Sequence, residues 1–203
     1  MLTGPMASNY CGILRTTHDL DFVIQLPPSD ALKMIDAFRS DFYLGEAAIQ
    51  TAYQPPFQFN AIDKRSPLKV DFWLLKPAPF ENEIFARRIR TTVIGETAWI
   101  ATAEDVMLHK LYWNRLTPSH RQLGDAAGVV SVQRGNLDVA YLRQWAKELK
   151  LSDTLEDLLA GRIQPKATDV QPVPSTSLQD RARKGDPTSP TTAAVASSAV
   201  GRR

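Results

Sequence analysis

Arg15-Thr-Thr-His-Asp-Leu-Asp-Phe-Val-Ile-Gln-Leu26 is the stretch on which the reading of this chain turns. Asp19 and Asp21 open an apolar, β-rich run. A strand's period of two puts them on one face and sends Leu20, Phe22, Ile24 and Leu26 to the other, which reads as the core side. Two carboxylates about 6 to 7 Å apart along a strand repel each other unless a cation or water lies between them. Mg2+ suits that arrangement, because it takes one or two carboxylates and completes its shell with water and phosphate oxygens. Taken alone, D-x-D is also what a turn aspartate followed by a solvated strand position looks like, so the surroundings decide.

Upstream, Met1-Leu-Thr reads as the end of a strand that runs into a Gly4-Pro5 turn and then a helix to about Cys11. Pro5 fits a first helical position, where its missing N–H costs nothing, and Gly12 fits the stop. The N–H groups at that helix start form an anion site if they lie near the D-x-D strand. Downstream, Pro27-Pro28 ends the strand and Ser29 is placed to cap a helix carrying Ala31, Leu32, Ile35 and Phe38 at helical spacing. A short helix over 46–53 follows, then Phe57–Ile62 alternates as a strand.

Leu68–Leu75 is the next strand. Its period puts Lys69, Asp71 and Trp73 on one face and Val70, Phe72 and Leu74 on the other. An aspartate inside so apolar a strand is an anomaly, and beside the first strand it completes a cluster of three carboxylates. Such a cluster is able to hold two metal ions and serves phosphoryl or nucleotidyl transfer, in which the ions activate a hydroxyl and neutralise charge on the leaving phosphates.

The second half reads as mostly helical. Residues 79–87 form a helix, and Thr91–Ile94 and Ala98–Ile100 are short strands around Gly95. Thr102-Ala-Glu-Asp105 is a capping-box pattern opening a helix with Val106, Met107, Leu108, Leu111 and Tyr112. Ser119 caps a further helix to about Val130, and 137–149 and 151–159 are the last two. From Gln164 onward large apolar side chains almost vanish, so the expectation is disorder.

Composition sets limits. With 203 residues and 43% apolar residues there is enough for a real core. The net charge of +2 is uneven: the segment from Gln164 on holds six Lys or Arg against three Asp, so the body is slightly acidic and no basic platform for nucleic acid. The lone Cys11 excludes an internal disulfide and a multi-cysteine zinc site, and its apolar neighbours suggest a buried, inert thiol. His18, His109 and His120 are too scattered to argue for a metal site. No apolar run reaches membrane-spanning length and no signal peptide opens the chain, which points to the cytoplasm and to no membrane partner.

In this order of motifs, residues 1–160 resemble the minimal nucleotidyltransferases of the DNA-polymerase-β-like superfamily, nearest to the AbiEii-type toxin nucleotidyltransferases and related bacterial proteins. A glycine turn, a helix and R-x-T-x-D-h-D (h apolar) are matched by Gly4, Gly12, Arg15, Thr17, Asp19 and Asp21. K-h-D-h is matched by Lys69, Val70, Asp71 and Phe72; an acidic pair and helical lysine by Glu104, Asp105 and Lys110; and R-D-h-x-D by Arg121 and Asp125. The resemblance implies an α+β nucleotidyltransferase fold, with a sheet core over 1–101 that is short at its N-terminus, a helical part over 102–162 and a disordered tail over 163–203. It implies transfer of a nucleoside monophosphate from an NTP to a hydroxyl of RNA, protein or a small molecule, with two Mg2+ ions (Mn2+ able to substitute). Asp19, Asp21 and Asp71 would hold metal. Gly4, Arg15, Thr17, Lys69, Lys110 and Arg121 would line the nucleotide's phosphates, Asp125 would assist the acceptor, and an antitoxin is the implied partner.

Two departures stand against the pattern: Pro5 replaces a residue with a backbone donor, and Gln122 replaces an acid. The family's helix and most of a strand ahead of the glycine turn are also missing, as a late start or a truncated product would leave them. These features support the alternative, a non-catalytic binding or regulatory module on the same fold. Several residues also have plainer roles open to them. Lys69 is placed to pair with Asp71, Arg15 to hold the D-x-D loop, Lys110 to sit solvated on its helix, and Glu104 and Asp105 to favour a helix start.

Overall fold

The computed structural model describes residues 1–165, all within one compact unit; the disorder expected beyond Gln164 falls almost wholly outside the described residues. The chain is α+β, as expected. In order it forms β1 (Leu2–Thr3), α1 (Gly4–Cys11), β2 (Asp19–Ile24), a 3₁₀ turn (Pro28–Asp30), α2 (Ala31–Phe38), β3 (Phe42–Tyr43) and α3 (Glu46–Thr51). Then come β4 (Gln58–Asp63), β5 (Lys69–Leu74), α4 (Pro79–Arg87), β6 (Ile89–Val93), β7 (Glu96–Ile100), α5 (Ala103–Leu116), α6 (His120–Val132), α7 (Val139–Glu148) and α8 (Ser152–Leu159).

Among the described residues the strands make one seven-stranded sheet in the order β3-β4-β5-β2-β1-β7-β6. It is mixed: β2 runs parallel to β5 and β1 parallel to β7, and the other pairs are antiparallel. The alternation read in the sequence is realised on both central strands. Leu20, Phe22 and Ile24 pack with Val70, Phe72, Leu74 and Phe59 on the face covered by α2 and α3, where Phe72 stacks between Phe22 and Phe59. Asp19, Asp21, Lys69, Asp71 and Trp73 are left on the opposite face.

The helices of the second half pack on the sheet through Leu2 and Ile100, which the register places level with Phe22, while α5 also sends side chains to the Asp21 side. Leu2, Ile100 and Ala7 share one apolar cluster with Met107, Leu108, Leu111, Val129, Leu142 and Leu155, so the helical part and the sheet are bound by a common core. Two predicted caps form: the Thr102 hydroxyl accepts from Asp105 N–H at 3.3 Å and the Ser119 hydroxyl from Gln122 N–H at 3.5 Å. A third does not. Ser29 lies inside the 3₁₀ turn, and α2 starts without a side-chain cap. On α2, Leu32 is exposed and Met34 takes the expected core place.

Gly12 plays a different part from the expected left-handed stop. Its backbone is extended (φ −139°), and a Cβ there would lie 2.8 Å from Val129 N and 3.0 Å from the Gly128 carbonyl carbon. It is glycine because the α6 backbone passes against it. Cys11 is buried, and burial pushes its thiol up to about 11, so it is inert as read.

Candidate functional site

Two parallel strands in register build the site. Asp21 lies opposite Asp71 and Asp19 opposite Lys69, all with side chains on the same face of the sheet. Lys69 Nζ lies 2.8 Å from Asp71 Oδ2 and 3.9 Å from Asp19 Oδ1, so an ammonium sits among the carboxylates. The Asp71 carboxylate in turn holds Lys69 above its ordinary pKa. Gln58, from the neighbouring β4, donates from Nε2 to Asp71 Oδ1 at 2.9 Å. Both oxygens of the buried Asp71 are therefore engaged.

Asp21 is treated differently. Trp73 Nε1 donates to its Oδ1 at 3.3 Å, while Oδ2 is buried with no partner. Burial raises its carboxyl above the usual range, with the Asp71 and Asp19 charges adding to the effect and Trp73 working against it. The reason for such close packing is Gly4, at the start of α1 with φ +60°. A Cβ at Gly4 would fall 2.5 Å from Asp21 Oδ2. The first turn of α1 and the Asp21 carboxylate thus touch only because Gly4 has no side chain.

Beside Asp21 opens a cleft of about 330 Å³ lined by Gly4, Asp21, Trp73, Glu81, His109, Lys110, Tyr112, Trp113 and Gln122, among others. From α5 it receives Val106, His109, Lys110 and Trp113, the i, i+3, i+4, i+7 stripe of one helix face. Trp113 leans on Trp73 with ring centroids 5.6 Å apart. His109 Nε2 lies 3.5 Å from Glu81 Oε2. Burial opposes the Glu81 charge, but His109 outweighs it and holds the carboxyl below its usual value.

Lys110 is buried, not a solvated face residue, and its Nζ lies 2.9 Å from Asp125 Oδ2. Burial pushes the Lys110 ammonium below its ordinary pKa against the pull of Asp125. Arg15 meets the same carboxylate from the loop before β2, with Nε to Oδ1 at 2.8 Å and Nη2 to Oδ2 at 3.0 Å. Burial disfavours the Asp125 charge, yet the bonds from Arg15 and Lys110 win and hold its carboxyl below the usual range. A carboxylate held so firmly is a poor proton acceptor. In this structure Arg15 and Lys110 take up both of its oxygens, so Asp125 fixes where Lys110 stands.

Other expected site residues divide. Arg15 holds the loop, as Asn9 also does by clamping the Arg15 peptide on both sides. Thr17 Oγ1 accepts from Asp19 N–H at 3.2 Å and shapes the entry to β2, so it does not line the cleft. Arg121 is exposed and outside the cleft. Glu104 and Asp105 are buried away from it: Asp105 accepts from Tyr141 Oη at 2.6 Å and Thr102 Oγ1 at 2.7 Å, and Glu104 accepts from Asp138 N–H at 3.0 Å. With Arg87, 3.6 Å from Glu104 and 3.5 Å from Asp105, they tie α4, α5 and α7 together. The acids of the third motif are thus structural, while its lysine reaches the site.

For a divalent cation the donor set is suitable in chemistry. Asp21 offers a partnerless oxygen under the Gly4 turn, and Asp71 and Asp19 flank it across the strand pair. Among the described residues no group of three His, Cys, Asp or Glu converges as it stands. The Asp71 oxygens are instead taken by Lys69 and Gln58.

No family model matches the chain, and no curated protein matches it. Among solved structures it is similar to an antigenic nucleotidyltransferase-like protein from Paracoccidioides brasiliensis, at 13% identity, over 82% of this chain and 85% of that one, with a TM-score of 0.47. A likeness at that distance carries no functional conclusion. Among the described residues no helix is long and apolar enough to cross a membrane.

Proposed function

We propose that the chain is a Mg2+-dependent nucleotidyltransferase that moves a nucleoside monophosphate from an NTP to a hydroxyl acceptor. The observation that carries this reading is Asp21 facing Asp71 across two parallel strands, beside a cleft that also holds the first turn of α1 and Lys110. Asp19, Asp21 and Asp71 would hold two Mg2+ ions, or Mn2+ in their place, which neutralise phosphate charge and lower the pKa of an attacking hydroxyl. The chain's own residues do the positioning. Lys110 sets a positive charge in the cleft and Arg15 and Asp125 fix where it stands. The tilted Trp73–Trp113 pair, with ring planes 57° apart, gives a nucleobase an aromatic face to lie on, and Gly4 leaves room for the Asp21 carboxylate at the floor. The acceptor is RNA, protein or a small molecule, and a toxin-type role with a neutralising antitoxin follows from the motif resemblance.

A second reading, the non-catalytic module, is favoured by two observations. Pro5 removes an N–H from the α1 start, and Lys69 already satisfies Asp71. Incubation with each α-labelled NTP, Mg2+ and total RNA or protein separates them. Label transferred by wild type and lost in Asp21→Asn supports the enzyme; NTP binding without transfer to any acceptor supports the module.

A further inference from the structure

We infer that Lys69 is a built-in counter-ion that a divalent cation must displace, and that the displaced ammonium turns to the nucleotide's phosphates. Lys69 thereby sets how strongly metal and nucleotide depend on each other. The inference rests on the metal-site reading above and adds what governs occupancy of that site.

The strand register places the lysine there. Because β2 and β5 run parallel with Asp19 opposite Lys69 and Asp21 opposite Asp71, a side chain from position 69 stands beside Asp71 on its own strand and across from Asp19 on the next. Its Nζ takes Asp71 Oδ2 at 2.8 Å and approaches Asp19 Oδ1 at 3.9 Å. Gln58 fills the other Asp71 oxygen. Asp21 Oδ2 alone is left buried and without a partner. Lys69 directly serves Asp71 and Asp19, while Lys110, already paired with Asp125 beside Arg15, acts on Asp21 without bonding it; the acids stay in excess and still attract a cation. A divalent ion that recruits Asp71 competes directly with Lys69 for the same oxygen.

The lysine is free to leave. Its side chain is 39% exposed and that of Asp19 is 50% exposed, and a four-carbon stem lets the ammonium swing without moving the strand. With metal alone, the displaced ammonium gains only water. With a polyphosphate present it gains a new anionic partner, so nucleotide favours the displaced state and metal favours nucleotide by the same factor. A methionine at position 69 would remove the competitor and the coupling together.

The test compares wild type with Lys69→Met and Lys69→Gln, and with Lys69→Arg, which keeps the charge. All are first checked by circular dichroism. Mn2+ binding is measured by free-ion electron spin resonance, alone and with a non-hydrolysable ATP analogue. The expected result is a crossing of affinities. Without nucleotide the uncharged variants bind Mn2+ about tenfold tighter than wild type, and with the analogue present wild type binds the Mn2+–nucleotide pair tighter. Lys69→Arg stays near wild type. Mn2+ affinity without nucleotide that is unchanged or weaker in a folded uncharged variant overturns the role of Lys69 and leaves the metal site standing. No uptake of Mn2+ by any protein, with or without nucleotide, overturns both.

Discussion

Asp21→Asn is the substitution whose outcome differs most between a solvated strand aspartate and the site described. Asp21 Oδ2 is buried without a partner under Gly4, its carboxyl is raised by burial, and Asp71 and Asp19 add like charge. Leaving a buried acceptor unsatisfied costs about 1–3 kcal/mol, more for a charged group. Asparagine is isosteric, keeps an oxygen for Trp73 Nε1 and removes the buried charge and its repulsion with Asp71 and Asp19, while its N–H₂ takes the partnerless place under Gly4. The metal-free protein should therefore gain about 1 kcal/mol, which in a chain of this size raises Tm by about 2–4 °C. The same change should abolish stabilisation by Mn2+ with an NTP analogue, which wild type gains by mass action. Differential scanning calorimetry in EDTA, then with Mn2+ and analogue, reads both effects. An Asp21→Asn protein that melts lower than wild type in EDTA, or is stabilised by Mn2+ as much as wild type, refutes the reasoning.

Asp71→Asn should move the other way. It breaks the Lys69 pair at a buried position, so a loss of about 1–2 kcal/mol is expected by urea unfolding, not the relief of repulsion that three bare acids would imply. Asp125→Asn leaves Arg15 and Lys110 facing each other and should cost about 3 kcal/mol at pH 7. Because the Asp125 carboxyl is lowered on folding, its stabilisation is full above its unfolded value, about 3.9. It fades as pH falls toward the lower folded value, so wild type and variant should converge below about pH 4 in acid titrations of stability. Lys110→Met should weaken NTP binding about tenfold in calorimetric titrations by removing a charge-assisted phosphate contact. Gly12→Ala drives a Cβ into the α6 backbone and should cost about 1–3 kcal/mol by thermal unfolding; no loss would mean that α6 can yield.

Alternation made the two central strands legible, together with the face on which Asp19, Asp21, Lys69, Asp71 and Trp73 lie, because a period of two leaves little choice once one face is apolar. What the period does not carry is which strands pair and in what register. That β2 and β5 are parallel neighbours with Asp21 opposite Asp71, and that Lys69 therefore reaches Asp19 as well, is a property of the assembled sheet. The capping box at Thr102 marked α5 correctly, but its acids served equally as a motif match and a helix start. Only the packing of Tyr141 and Arg87 on Asp105 separates the two. Glu81, His109 and Trp113 carried no local signal, since α4 and α5 bring them together from distant positions. The two-residue β3 was too short to read, and Gly12 looked like a helix stop because a close backbone crossing leaves no trace in a single sequence.

The central claim, that the acids of β2 and β5 hold metal beside a nucleotide, is tested most directly by anomalous diffraction from crystals grown with Mn2+ and a non-hydrolysable NTP analogue. The account predicts an anomalous peak shared by Asp21 and Asp71, with the analogue's phosphates near Lys110 and its base against the Trp73–Trp113 wall. Crystals in which the analogue binds elsewhere, or in which Lys69 still bridges Asp71 and Asp19 with no peak between Asp21 and Asp71, would contradict it.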